Sequence, residues 1–145
     1  MRELYEEMIL DHNRNPHNFL RIPKGESCTA RGFNPICGDE FNVYIKIEGH
    51  IIEDVSFDGA GCAISTASAS MMTDAIKGKT VEEAQRLFRD MNRMLMSGEP
   101  LGDKYFKLSV LSGVREYPIR IKCATLAWHT MNAALEDSKE LVTTE

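Results

Sequence analysis

Four cysteines, Cys28, Cys37, Cys62 and Cys123, are the side chains of this sequence with the widest chemical reach. A thiolate binds metals and attacks electrophiles, and both uses depend on its surroundings. No two of them form a CxxC pair, so spacing alone does not make a zinc site. Local context has to separate them. Cys37 lies in Asn34-Pro35-Ile36-Cys37-Gly38-Asp39-Glu40, a turn entering a strand. In an extended chain Cys37 and Asp39 project to the same side and can reach one ion together. Cys62 follows Gly59-Ala60-Gly61 and stands at the expected start of a helix, where free N–H groups and the dipole favour an anion. Cys123 falls in the second turn of an expected last helix. Arg120, three residues earlier, and the adjacent Lys122 are both expected to lower its thiol pKa. Cys28 has no anion-favouring context and reads as a small buried apolar residue.

From the residues alone, that bland reading stays open for the other three cysteines as well. Asp39 could cap or solvate a loop, and Gly38 and Gly61 could serve backbone geometry only. The four histidines offer little: His12 and His17 flank the end of the first helix, His50 lies in a turn, and His129 is off the face of Cys123.

The elements that must position these groups are legible in part. Leu4, Tyr5, Met8 and Ile9 recur at helical spacing until Asn13-Arg14-Asn15-Pro16 ends the segment. Phe41, Val43, Ile45 and Ile47 alternate with polar residues, as in a strand with one face buried. Glu48-Gly49-His50 is a turn, and residues 51–57 read as a second strand with Ile51, Val55 and Phe57 inward, completing a hairpin. A strand over residues 28–32 is a weaker pattern. Residues 63–77, rich in Ala, Ser, Thr and Met, predict a close-packing helix that Gly78 stops. Thr80 and Glu83 form a capping box opening a helix with Val81, Ala84, Leu87, Phe88, Met91 and Leu95 on one stripe. That helix closes before Gly98-Glu99-Pro100, and a shorter helical piece is expected over residues 105–111. Pro118 suits the first position of the last helix, with Ile119, Cys123, Leu126, Thr130 and Ala134 as its stripe. Strands first and helices afterwards predict an α+β fold: a small antiparallel sheet of about three strands packed against several helices.

Composition bounds what such a site can serve. The 145 residues suit one domain and a core that needs no disulfide staple. With 17 Lys+Arg against 22 Asp+Glu, the net charge of −5 argues against a nucleic-acid surface. No apolar run reaches the ~20 residues of a membrane span, and the N-terminal residues lack a signal peptide's apolar stretch. The expected location is cytoplasmic, where separated cysteines serve as buried residues, metal ligands or reactive thiols more often than as disulfides.

Three motifs carry a resemblance. Cys37-Gly38-Asp39-Glu40, Gly59-Ala60-Gly61-Cys62-Ala63-Ile64-Ser65 with Ala67-Ser68-Ala69-Ser70, and Tyr117-Pro118-x-Arg120-x-x-Cys123 together resemble the IscU/SufU iron–sulfur assembly family. The resemblance runs from the first helix to about Asp137. Two features point to the SufU, NifU-like branch. The gap from Cys62 to Cys123 is long, with residues 78–101 as the place of an insertion, and Lys122 stands where the IscU branch has histidine.

The resemblance implies a SufE/NifU-like fold and a metal held by Cys37, Asp39, Cys62 and Cys123. Such donors suit tetrahedral zinc. Three thiolates and a carboxylate leave a net negative charge on zinc, softened by Arg120 and Lys122. A fully ferric two-iron, two-sulfide core carries the same charge as zinc, so charge does not choose between zinc and an iron–sulfur cluster. The resemblance also implies a partner cysteine desulfurase (SufS-like) and downstream cluster-assembly proteins. In the SufU branch the chain would be at most a zinc-dependent sulfurtransferase, with Cys37 accepting persulfide sulfur, Cys123 as the second choice and Arg120 as a supporting charge. The alternative is an IscU-like scaffold on which a cluster is assembled and transferred. A closed structural zinc module fits less well, because such sites typically use only Cys and His.

Overall fold

The structure is a computed structural model that describes residues 2–23, 25, 27–137 and 141–143. Helix α1 (Arg2–Arg14) turns Tyr5, Ile9 and His12 inward. Strands β1 (Cys28–Asn34), β2 (Asp39–Glu48) and β3 (Ile51–Ala60) then form an antiparallel meander. Asp39, Phe41, Val43 and Ile45 alternate inward along β2, as the sequence pattern requires. Helices α2 (Ala63–Ile76), α3 (Val81–Ser97), the four-residue α4 (Phe106–Ser109) and α5 (Pro118–Leu135) follow. Strand β4 (Val142–Thr143) closes the order β3-β2-β1-β4. The α+β expectation therefore holds, with a fourth strand beyond the three expected. β4 pairs parallel to β1, a two-residue contact too short to leave a periodic signal.

α5 sits between the sheet and the other helices. A Cβ on Gly32 of β1 would lie 2.0 Å from Thr130 Oγ1, so strand and helix approach as closely as they do only because Gly32 has no side chain. On its other side α5 meets α2, whose small residues bring the backbones together. Ser68 Oγ donates to the Ala124 carbonyl at 2.6 Å and accepts from Trp128 Nε1 at 3.2 Å, which satisfies polar atoms inside the core. α5 is accordingly buried almost all round from Cys123 to Ala134, and no simple stripe describes it. Ile119, expected on that stripe, is 71% exposed, because the first turn of α5 projects past the helices that cover the rest.

Three further expectations are corrected. Ile51 is 43% exposed and Ile52 is buried in its place. The register shifts between Lys46 and Ile47, which reverses the facing of the strand end, and Ile51 bridges to Thr80 instead. Phe88 is only half-buried, packed edge-on against the His129 ring. The piece expected over residues 105–111 is the short α4 flanked by 3-10 turns, Asp103–Tyr105 and Val110–Glu116. The edge of β3 is covered by the segment after α1: Leu20 donates to the Phe57 carbonyl and Phe57 to that of Asn18, both at 3.0 Å. This pairing protects an otherwise open edge. Among the described residues no helix is long and apolar enough to cross a membrane.

Candidate functional site

The β1–β2 loop, the start of α2 and the start of α5 meet at one end of the molecule. Residues 35–38 form the hairpin loop between the paired Asn34 and Asp39, and Gly38 takes φ +71°, which a glycine adopts without strain. Cys37 therefore sits on a turn and not on an extended segment, yet it reaches the same place as Asp39. One ligand atom from each of Cys37, Asp39 and Cys123 lies within 4.8 Å of the others. Cys37 Sγ and Cys123 Sγ are 2.8 Å apart, and all four cysteines are free thiols.

Cys62 is the N-cap of α2, as its position after Gly61 predicts. Its Sγ accepts from the Ser65 N–H at 3.4 Å, and its own backbone N–H donates to Asp39 Oδ1 at 2.8 Å. A Cβ on Gly61 would stand 2.5 Å from Ser65 Oγ and 2.7 Å from Asp39 Oδ1. Only glycine lets the loop pass this close to the carboxylate. Cys28, at the other end of β1, stays outside the group.

The electrostatics are those of crowded acids. A hydrogen bond from Cys123, first, and the Ser65 donors bring the Cys62 thiol down to about 5 against the opposing effect of burial. Cys123 moves the other way, pushed up by its bond to Cys62, then by burial and by Cys37. The expected lowering of Cys123 by Arg120 and Lys122 is reversed. Arg120 is bonded to Cys123 and its Nη1 donates to Cys37 Sγ at 3.3 Å. This does not offset the effects of Cys62, burial and Cys37 on Cys123, and Lys122 is exposed.

Asp39 is 0% exposed, and its Oδ2 has no hydrogen-bond partner. A buried carboxylate oxygen without a donor is costly, and a cation would satisfy it. Cys37 and Cys123 share the group with it. Cys62, whose sulfur lies outside that 4.8 Å group, adjoins it through Cys123 and through its N–H to Asp39. Three thiols and a carboxylate are a donor set that fits a tetrahedral ion such as zinc. Two neighbours carried no sequence signal of this kind. Asn34, fully buried, accepts from the Ile36 N–H at 3.2 Å and donates to Cys123 Sγ at 3.7 Å, locking the loop onto α5. Ser65 holds Cys62 from the first turn of α2. An Asn before a Pro is a common turn pair, but nothing in it signals a contact with Cys123.

The family model described as the NifU-like N-terminal domain matches residues 4–144. The chain belongs to this family. This NifU-like chain is 43% identical over 133 residues to the zinc-dependent sulfurtransferase SufU of Bacillus subtilis, covering 88% of this chain and 86% of the relative. It is 39% identical over 139 residues to the iron–sulfur cluster assembly scaffold protein IscU of Streptococcus pyogenes, covering 95% and 86%. A crystal structure from Fervidobacterium islandicum, described as an iron–sulfur cluster assembly scaffold protein for the SUF system, superposes with a TM-score of 0.79 at 34% identity. That match covers 92% of this NifU-like chain and 97% of the other. The chain is thus a member of the SufU/IscU iron–sulfur assembly group.

Proposed function

We propose that this chain is a zinc-binding sulfur acceptor that takes persulfide sulfur from a cysteine desulfurase of the SufS type in the cytoplasm and passes it to cluster-assembly proteins. Cys37, Asp39, Cys62 and Cys123 would hold the metal. The observation that carries the reading is the placing of Cys37: partly exposed on a hairpin loop, with Arg120 on its sulfur, while Cys123 is fully buried on α5. Bound zinc would supply charge that keeps the ligating thiols deprotonated and sheltered.

The transfer itself is thiol–disulfide chemistry. Once the partner has displaced Cys37 from the ligand set, the Cys37 thiolate attacks the outer sulfur of the desulfurase persulfide. The sulfur–sulfur bond of the donor breaks, the desulfurase cysteine leaves as a thiolate, and Cys37 gains the new sulfur–sulfur bond with its terminal sulfur. No net oxidation or reduction occurs. Arg120 balances the negative charge that passes along the three sulfurs. Asn34 and Asp39 hold the two ends of the loop while Cys37, between them, meets the partner.

Incubation with the cognate desulfurase and cysteine, followed by mass spectrometry of the trapped protein, tests the reading. The expected result is one added sulfur on Cys37, abolished in Cys37→Ser. Sulfur on Cys123 would mean the buried thiol is the acceptor. No added sulfur on any thiol, with a stable coloured cluster once iron is supplied, would instead support the scaffold function named for the Streptococcus relative.

A further inference from the structure

At the opposite end of α2, ~18 Å of helix away from Cys62 by the 1.5 Å rise per residue, lies a second group of donors. One ligand atom from each of His12, His17 and Asp74 falls within 4.8 Å of the others. α1 supplies His12, the segment after it supplies His17, and the last turn of α2 supplies Asp74. We propose that these three residues form a separate binding site for a divalent first-row transition-metal ion.

The His12 ring is already held as metal-binding imidazoles usually are. Such rings give one nitrogen to a carboxylate or other polar group of the protein and leave the other for the ion. His12 Nδ1 is 2.7 Å from the buried Ser70 Oγ, and Ser70 Oγ also accepts from the His17 backbone N–H at 2.8 Å. His17 Nδ1 is bonded to Asp74 Oδ2, two donor atoms that an ion would draw on in place of that hydrogen bond, and Asn18 Nδ2 orients the other carboxylate oxygen at 3.3 Å. The ring centroids are 4.5 Å apart, so the two rings are direct neighbours. Both rings border an open cleft of about 510 Å³. Its walls add Glu7 and Asp11 against a single cation, Lys107, so with neutral imidazoles the cleft is negative. Two histidines and one carboxylate, with room left for water or a further ligand, is a donor set that ferrous iron and its neighbours take readily.

Cobalt(II), added to tag-free protein already loaded with zinc, separates this site from the cysteine cluster. Cobalt entering the cysteine cluster shows thiolate-to-metal charge transfer in the near ultraviolet, whereas a histidine–carboxylate site does not. The expected result is one further cobalt per chain without that band, with the His12 and His17 ring protons shifted and broadened and those of His50 untouched. His17 and Asp74 are exposed, so His17→Ala and Asp74→Asn should fold and should weaken this cobalt at least tenfold, while His50→Ala leaves it unchanged. Cobalt held equally by wild type and His17→Ala, or found only with the thiolate band, would overturn the proposal. Neither result bears on sulfur acceptance by Cys37.

Discussion

The carboxylate of Asp39 is the residue on which the cysteine cluster turns. Its Oδ1 is committed to the Cys62 N–H, and only Oδ2 is free for an ion. Asp39→Asn keeps the shape and the hydrogen bond from Cys62 while removing the charge. The variant is therefore expected to fold, and to hold zinc at least tenfold more weakly, about 1.4 kcal/mol. Competition with a chromophoric chelator measures this, and unchanged affinity would place Asp39 outside the ligand set. The two oxygens thus differ: one builds the loop, and the other has no partner in the protein.

At the scale of elements, each candidate ligand is carried by a structure with its own local cause. α2 begins at Cys62 because the thiol caps it, and α5 begins at Pro118, whose missing N–H costs nothing at that position. α3 stands apart from the site and supports it indirectly. Its capping box is complete: the Glu83 N–H donates to Thr80 Oγ1 at 3.0 Å, and the Thr80 N–H to Glu83 Oε1 at 3.1 Å. Thr80→Ala is expected to cost about 1 kcal/mol and to lower the melting temperature by about 2–4 °C. Metal content should not change. Calorimetry with metal analysis on one sample checks both halves, and a loss of zinc would show that α3 governs the site.

For the whole molecule, binding of a metal would be linked to the fold. An ion bound only by the native state stabilises it by about 4 kcal/mol at a thousandfold excess over its dissociation constant. Chelation should lower the melting temperature and open Cys37, Cys62 and Cys123 to alkylation together. Equal thiol reactivity before and after chelation would count against a shared ion. Protons act on stability elsewhere. Burial holds His129 below the ordinary imidazole value, so the unfolded chain takes up a proton near pH 6.5 that the folded chain refuses. Stability then falls as the pH drops below about 6.5, and burial of His12 adds to the same slope. His129→Gln should make the decline in melting temperature between pH 7 and 5 shallower, as a series of thermal melts would show. An unchanged slope would mean that other groups carry it.

The sequence by itself determined what short-range patterns encode. Alternation along β2, the capping box of α3, the thiol at the start of α2 and the proline opening α5 are each local, so each could be read before the fold was known. The three cysteine motifs carried the family in the same way, through residue types in a fixed order. Tertiary structure alone decided which side chains meet. Cys37 and Cys123 are 86 residues apart in the chain, and His12 and Ser70 are 58 apart. No periodicity spans such distances. Asn34 likewise became part of the site only when α5 came to rest on β1. A one-residue register shift exchanged Ile51 for Ile52, because a strand presents alternate residues to opposite faces. The histidines showed nothing in the sequence for the same reason: their partners arrive on another helix, and packing, not pattern, aims them at one point.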